Sequence, residues 1–93
     1  MNHKFLVHGH EDNVGVAVQD ISAEEKAVGV YLDSNGETTI KSNHDIKLGH
    51  KIALKSIKTG EYAYEYAEII GKATQDINAG DWVHIHNIKS ARW

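Results

Sequence analysis

Between Asn13 and Asp20 the chain alternates: Val14, Val16 and Val18 fall on one side of an extended backbone, Gly15 and Ala17 on the other. Period-two alternation marks a strand, and two uncharged sides predict one packed on both faces, with another backbone close to the small side. The run "KAVGVYL" repeats the design with Val28, Val30 and Leu32 on one side. Asn35-Gly36 in the following "DSNGETTI" tolerates positive φ, so a hairpin is predicted over about Ala27 to Lys41. "HKIALK" and "WVHIHNI", each just after a glycine, read as further strands. "EYAYEYAEIIGKA" fits helical spacing through Tyr62, Tyr66 and Ile70, and equally one strand face through Tyr62, Tyr64 and Tyr66. Its aromatic content favours a strand pair with a turn near Ala67-Glu68.

An internal repeat joins these segments. "HDIKLGHKIAL", "LKSIKTGEYAY" and "TQDINAGDWVH" share isoleucine, two residues, glycine and then a strand, at Ile46/Gly49, Ile57/Gly60 and Ile77/Gly80. "QDISAEEK" is a fourth copy with Glu24 in the glycine's place. The isoleucine is expected to anchor a turn in the core while the glycine takes a left-handed backbone. The spacing is irregular, which excludes a solenoid. Short strands separated by re-used tight turns predict an all-β, compact, twisted fold, with at most one or two helical turns near Ala23–Lys26.

Composition narrows the class. With 93 residues the chain is expected to be one domain over 1–93, burying only about 60–65% of its unfolded surface. A net charge of −3 with scattered Lys and Arg offers no footprint for nucleic acid. The absence of cysteine removes disulfides and thiolate metal sites, so any metal falls to histidine and carboxylate. "MNHKFLVHGHEDN" carries too short an apolar run for a signal peptide or a membrane span, and a cytoplasmic protein is expected. Eight glycines and no proline leave the turns to Gly, Asn and Asp.

Seven histidines are the chemical signal. On a strand, His84 and His86 project from one face with Cα atoms about 6.5–7 Å apart, so both imidazoles reach one metal ion, while Val83 and Ile85 form the buried face. Edge decoration is the bland alternative. Asp12 and Asn13 precede a strand, as an Asx turn would or as a substrate contact would; His50 and Lys51 follow a turn glycine, as a solvated pair or as functional groups. No His-Glu-x-x-His pair is present, so zinc-protease chemistry is not indicated. Together, a lysine, a histidine pair and a third histidine suit removal of a proton α to a carboxylate and loss of a β leaving group. That reaction needs a cation for the acid, a Lewis acid and a base of near-neutral pKa.

The runs "DNVGVAVQDI", "DIKLGHKIAL", "EIIGKATQDINAGDWVHIHN" and "KSARW" resemble, in order and over nearly the whole chain, one known domain. It is the small SAF domain at the amino terminus of altronate and galactarate dehydratases, which also occurs as the small subunit of (2R)-sulfolactate sulfo-lyase. The resemblance implies the β-clip architecture. It also implies a lyase that eliminates water or sulfite from a hydroxylated carboxylic acid such as altronate, galactarate or sulfolactate. The implied cofactor is a divalent metal, Fe(II) first, with Mn(II) or Zn(II) as alternatives, and much of the catalytic apparatus belongs to a large domain or subunit.

Carried over by position, the motifs put His50 and Lys51, Asp12 and Asn13, and His84, His86 and Asn87 near a joint active site. We assign metal or acid–base duty to His84 and His86, acid–base duty to His50 and substrate binding to Lys51, Asp12, Asn13 and Asn87. The family's His-Pro is replaced by "HGHEDN", so neither His8 nor His10 is carried over, and Ala67 stands where glycine is common. With the sequence ending at Trp93, the expectation is a small subunit, inactive alone, that meets a larger catalytic lyase subunit through "KSARW" and self-associates along strand edges. Two rival readings stay open: a stand-alone carbohydrate- or ligand-binding module, and a purely structural partner.

Overall fold

A computed structural model describes residues 3–90, and its frame is the set of four repeated turns. Gly49, Gly60 and Gly80 have φ of 90°, 89° and 93°, and Glu24, in the degenerate copy, has 71°. All four copies therefore share one left-handed backbone, which costs a residue with a Cβ about 1–2 kcal/mol. At Gly80 the glycine has a second cause, because a Cβ there would run into the Lys41 carbonyl. The anchoring isoleucines Ile21, Ile46, Ile57 and Ile77 are all buried, each contributing about 1.5–3 kcal/mol.

The turns work in pairs. Ile21 bridges Ile46 and Ile57 bridges Ile77, each pair exchanging both backbone hydrogen bonds at 2.8 Å. The acid before an isoleucine then caps the opposite turn. Asp20 accepts from the Leu48 N–H at 2.9 Å, Asp45 from the Ala23 N–H at 2.8 Å and Asp76 from the Thr59 N–H at 2.8 Å. Ser56 stands where the fourth acid would be.

Nine strands run between the turns among the described residues: β1 Phe5–Val7, β2 Val14–Ala17, β3 Lys26–Tyr31, β4 Glu37–Lys41, β5 Lys51–Ala53, β6 Tyr62–Glu65, β7 Glu68–Ala73, β8 Trp82–Val83 and β9 Ile88–Lys89. They form a six-stranded sheet in the order β4-β3-β1-β2-β5-β8 and a three-stranded sheet β6-β7-β9. β1 pairs with β3 in parallel and every other pairing is antiparallel. No helix occurs among the described residues; Ala23 and Glu24 make a turn instead of a helical one. The all-β class is borne out.

Two apolar clusters fill the interior. The first gathers Phe5, Val7, Ile52 and Leu54 with the bridged pair Ile21 and Ile46, and the second gathers Val14, Ala53, Val83 and Ala63 with Ile57 and Ile77. β2 is packed on both faces: Gly15 and Ala17, with Ala27 and Gly29 of β3, face the first cluster, while on the other side Val14 enters the second and Val16, Val18, Val28 and Val30 are half-buried. Phe5 is the reason for the small side chains. Its ring occupies the space over Gly29, where a Cβ would collide with it, and the carbonyl of Leu6 would stand 3.0 Å from a Cβ on Gly15.

The predicted hairpin forms as β3–β4, but its connection is five residues long and only Asn35 is left-handed, at φ 60°. The tyrosine-rich segment is the expected strand pair, with its turn at Tyr66-Ala67, both left-handed at φ 56° and 59°. Arg92 and Trp93 of the docking tail lie outside the described residues.

Candidate functional site

The local chain path at the histidine pair differs from the predicted strand. β8 ends at Val83, and residues 84–87 form a turn. The cause is Asn87, which is buried: its Oδ1 accepts from the His84 N–H at 2.9 Å and its Nδ2 donates to the Trp82 carbonyl at 2.8 Å. The backbone N–H groups of Asn87 and Ile88 both donate to the His84 carbonyl at 3.0 Å. A short amide that reaches its own backbone competes with the sheet ladder, and β8, paired among the described residues only with β5, lacks a second neighbour there to hold it extended. Ile85, expected in the interior beside Val83, is consequently 83% exposed. His84 and His86 therefore leave a turn, not one face of a strand.

They still meet, through Trp82. The His84 ring stacks on the indole, with centroids 5.1 Å apart and 11° between planes, and His86 lies 5.0 Å from it at 40°. His50 joins from the start of β5, 5.7 Å from the indole and 5.2 Å from the His84 ring. Trp82 also donates two hydrogen bonds to imidazoles: its Nε1–H to His50 Nδ1 and its backbone N–H to His44 Nδ1, both at 3.1 Å. An indole N–H is only a donor, so His50 Nδ1 presents a lone pair and the neutral ring carries its proton on Nε2. His50 is thus set to donate from Nε2, and His44 is fixed in the same tautomer.

His50 is available because it breaks the repeat. Four residues after each anchoring isoleucine stand Glu25, His50, Glu61 and Asp81. The three acids fold back to accept the N–H of Ser22, Lys58 and Asn78 at 2.9, 2.8 and 2.8 Å, closing their turns. That bond, with the Lys4 ammonium beside it, holds the Glu25 carboxyl below the usual range. In the second copy an imidazole replaces the acid and turns to Trp82 instead. His50 was legible from its place after a turn glycine and Trp82 from its alternation with His84 and His86, whereas nothing in the spacing marked His44.

The remaining candidates sit elsewhere. Lys51 is paired in register with Val16 and Val83, so it leaves β5 on the face opposite His50, and its Nζ lies 3.7 Å from Glu65. Asp12 is buried, its carboxylate accepting from the N–H groups of Tyr66 and Ala67 at 2.9 and 2.8 Å, which holds that left-handed turn. Asn13 accepts from the Tyr64 N–H at 2.7 Å and donates to the Tyr62 carbonyl at 3.0 Å, bracketing the bulge of β6. His8 lies 4.8 Å from the Tyr66 ring. His10 stacks on Tyr31 at 4.0 Å and bonds Asp33 at 3.1 Å, which keeps that carboxyl below the usual carboxylate range.

Among the described residues no three His, Asp or Glu side chains converge to hold a metal ion. The cluster around Trp82 offers two imidazoles, His84 and His86, whose ring nitrogens make no hydrogen bond among the described residues, beside His50, whose Nδ1 is engaged. Two imidazoles would supply part of a coordination sphere and no more.

An all-β domain with two curled sheets and paired Ile-x-x-Gly turns is a β-clip of the SAF kind. The chain belongs to the altronate/galactarate dehydratase SAF domain family, whose model matches residues 3–91. It is 33% identical to the (2R)-sulfolactate sulfo-lyase subunit alpha of Chromohalobacter salexigens over the full length of both. The subunit of the same name from Paracoccus pantotrophus is 41% identical over 69% of this chain and 96% of that one. Altronate dehydratase of Bacillus subtilis is 43% identical over 92% of this chain but only 16% of its own length.

Proposed function

We propose that the chain is the small subunit of a two-subunit, metal-dependent lyase. Its larger partner completes the active site, and together they eliminate water or sulfite from a hydroxylated carboxylic acid of the altronate, galactarate or sulfolactate type. Family membership and relatives named as a lyase subunit and as dehydratases support the class. The observation that carries the site is His50: the one copy of the turn that lacks its closing acid is the copy whose side chain joins His84 and His86 on Trp82.

In this reading the Nε2–H of His50 donates to the substrate's carboxylate or to the leaving oxygen, and Trp82 holds the ring in that tautomer. His84 and His86 would supply two nitrogen ligands to a divalent ion, Fe(II) or alternatively Mn(II) or Zn(II), with the remaining ligands coming from the larger chain. Such an ion would supply Lewis-acid polarisation of the substrate's oxygens. The base that takes the α proton then belongs to the larger chain. Lys51, turned to the other face and paired with Glu65, stays outside this arrangement.

The test is reconstitution with the larger chain. His84→Ala/His86→Ala is expected to lower turnover by about 10²-fold or more and to lower bound metal in the complex, with association unchanged. Turnover and metal content that survive the double substitution would refute the assignment.

A further inference from the structure

The large sheet has one face that is half covered. Residues paired across strands share a face, so the register places Leu6 with Val16 on one side and Val30 on the other; alternation adds Val18, Val28 and Leu32. Val14, Ala53 and Val83 belong to this same face, and there the second cluster, with Ile57, Ile77 and the three-stranded sheet, closes over them. That cover stops at the β6–β7 turn. Beyond it the aliphatic surface of β1, β2 and β3 lies open, with Leu32 48% exposed and Tyr66, at the turn's tip, 57% exposed. Where the tip meets the sheet there is a recess of about 200 Å³ floored by Leu6, Val16 and Val18, with Glu65 and His8 at its rim.

Most of the charges bordering this surface are paired within the chain, and Lys26 and Glu37, which the register puts on the same face, are of opposite sign. Lys4 pairs with Glu25 at 3.2 Å, Lys51 with Glu65 at 3.7 Å and His10 with Asp33 at 3.1 Å. A neutral rim around an aliphatic floor selects an apolar protein surface over an anionic or cationic partner. The relatives indicate which protein. The same domain is the whole of a subunit alpha and about a sixth of an altronate dehydratase chain. A tethered domain has its high local concentration from the tether, whereas a free-standing one is held only by what its surface buries.

We infer that the uncovered half-face of β1, β2 and β3 is the surface that docks on the larger lyase chain. The inference rests on the reading above that such a chain completes the enzyme. The experiment uses the larger lyase chain of the same organism, purified and identified, and titrates it with the wild-type protein and with Val30→Lys, Leu32→Lys and Leu48→Lys by calorimetry. Leu48 is 62% exposed on the turn whose Ile46 packs in the first cluster, on the other side of the sheet, and serves as the control. Wild type and Leu48→Lys are expected to bind alike, and Val30→Lys and Leu32→Lys at least about tenfold more weakly with unchanged melting temperatures. Hydrogen exchange on the wild-type complex supplies a measurement independent of variant folding: amides of residues 5–7 and 26–31 should gain protection. Equal binding by all four proteins, with no added protection there, would overturn the docking face and leave the two-subunit reading standing. Wild type that ignores the larger chain but self-associates, dispersed by Leu32→Lys, would make a second copy the occupant and sink both. Wild type that does neither would sink both as well.

Discussion

Asp12 shows how one side chain answers a question that sequence left open. Its carboxylate caps two consecutive left-handed residues, so the acid before the first valine strand shapes a turn more than fifty positions away. Asp12→Asn presents an amide N–H to a backbone N–H and is expected to cost about 2 kcal/mol in chemical denaturation. Ala67→Gly relieves a Cβ at φ 59° and is expected to add about 0.5–1 kcal/mol by the same measurement. His50 can be restored to its repeat: His50→Glu should close the second turn as Glu25 and Glu61 do, raising stability by about 1 kcal/mol while abolishing turnover of the reconstituted enzyme. A variant that is both more stable and active would remove His50 from the chemistry. Asn87 marks the limit of what could be read locally. Its neighbours alternate as a strand does, and only knowing that β8 has a single neighbour among the described residues reveals that the amide, not the ladder, decides the path.

At the scale of elements, periodicity located the strands without saying which side would carry the larger share of the core. Val14 to Val18 alternate as expected, but alternation does not say which cluster each face meets; the ring of Phe5, from a different strand, makes that choice. The repeated turn was legible because its demands are local, an isoleucine to bury and a residue that tolerates positive φ. Its pairing was not, since no copy announces its partner. Two predictions belong here. Lys72 of β7 stands directly across from Lys89 of β9, both exposed, so Lys72→Glu should stabilise the small sheet by about 0.2–1 kcal/mol, seen as a higher melting temperature that salt diminishes. The Asp76 carboxyl is held below its ordinary value first by the Thr59 N–H and then by the Thr59 hydroxyl. A depressed folded pKa gives stability that is present above the unfolded value and is lost as pH falls through the folded one. Melting temperatures should therefore be flat from neutrality to about pH 5 and fall below about pH 4, and the gap between wild type and Asp76→Asn should close over that same acid range. A gap that persists at pH 2 would show that the side chain acts without its charge.

For the whole molecule, the all-β class and the family followed from four short motifs in order, while the division of the candidate residues did not. Seven positions expected around one site separate into His50, His84, His86 and Asn87 at the β5–β8 edge, and Asp12, Asn13 and Lys51 toward the β6–β7 hairpin. The sheet order carries a further consequence for synthesis. β1 lies inside the large sheet, flanked by β2 and by β3 in parallel, so the first of the nine described strands is a central one. Both of its neighbours follow within the next two dozen residues, and the middle of the sheet can assemble while the second half of the polypeptide is still on the ribosome. Shortening the chain through Val7 would remove the shared partner of two strands at once, and the nascent protein would have nothing around which to gather.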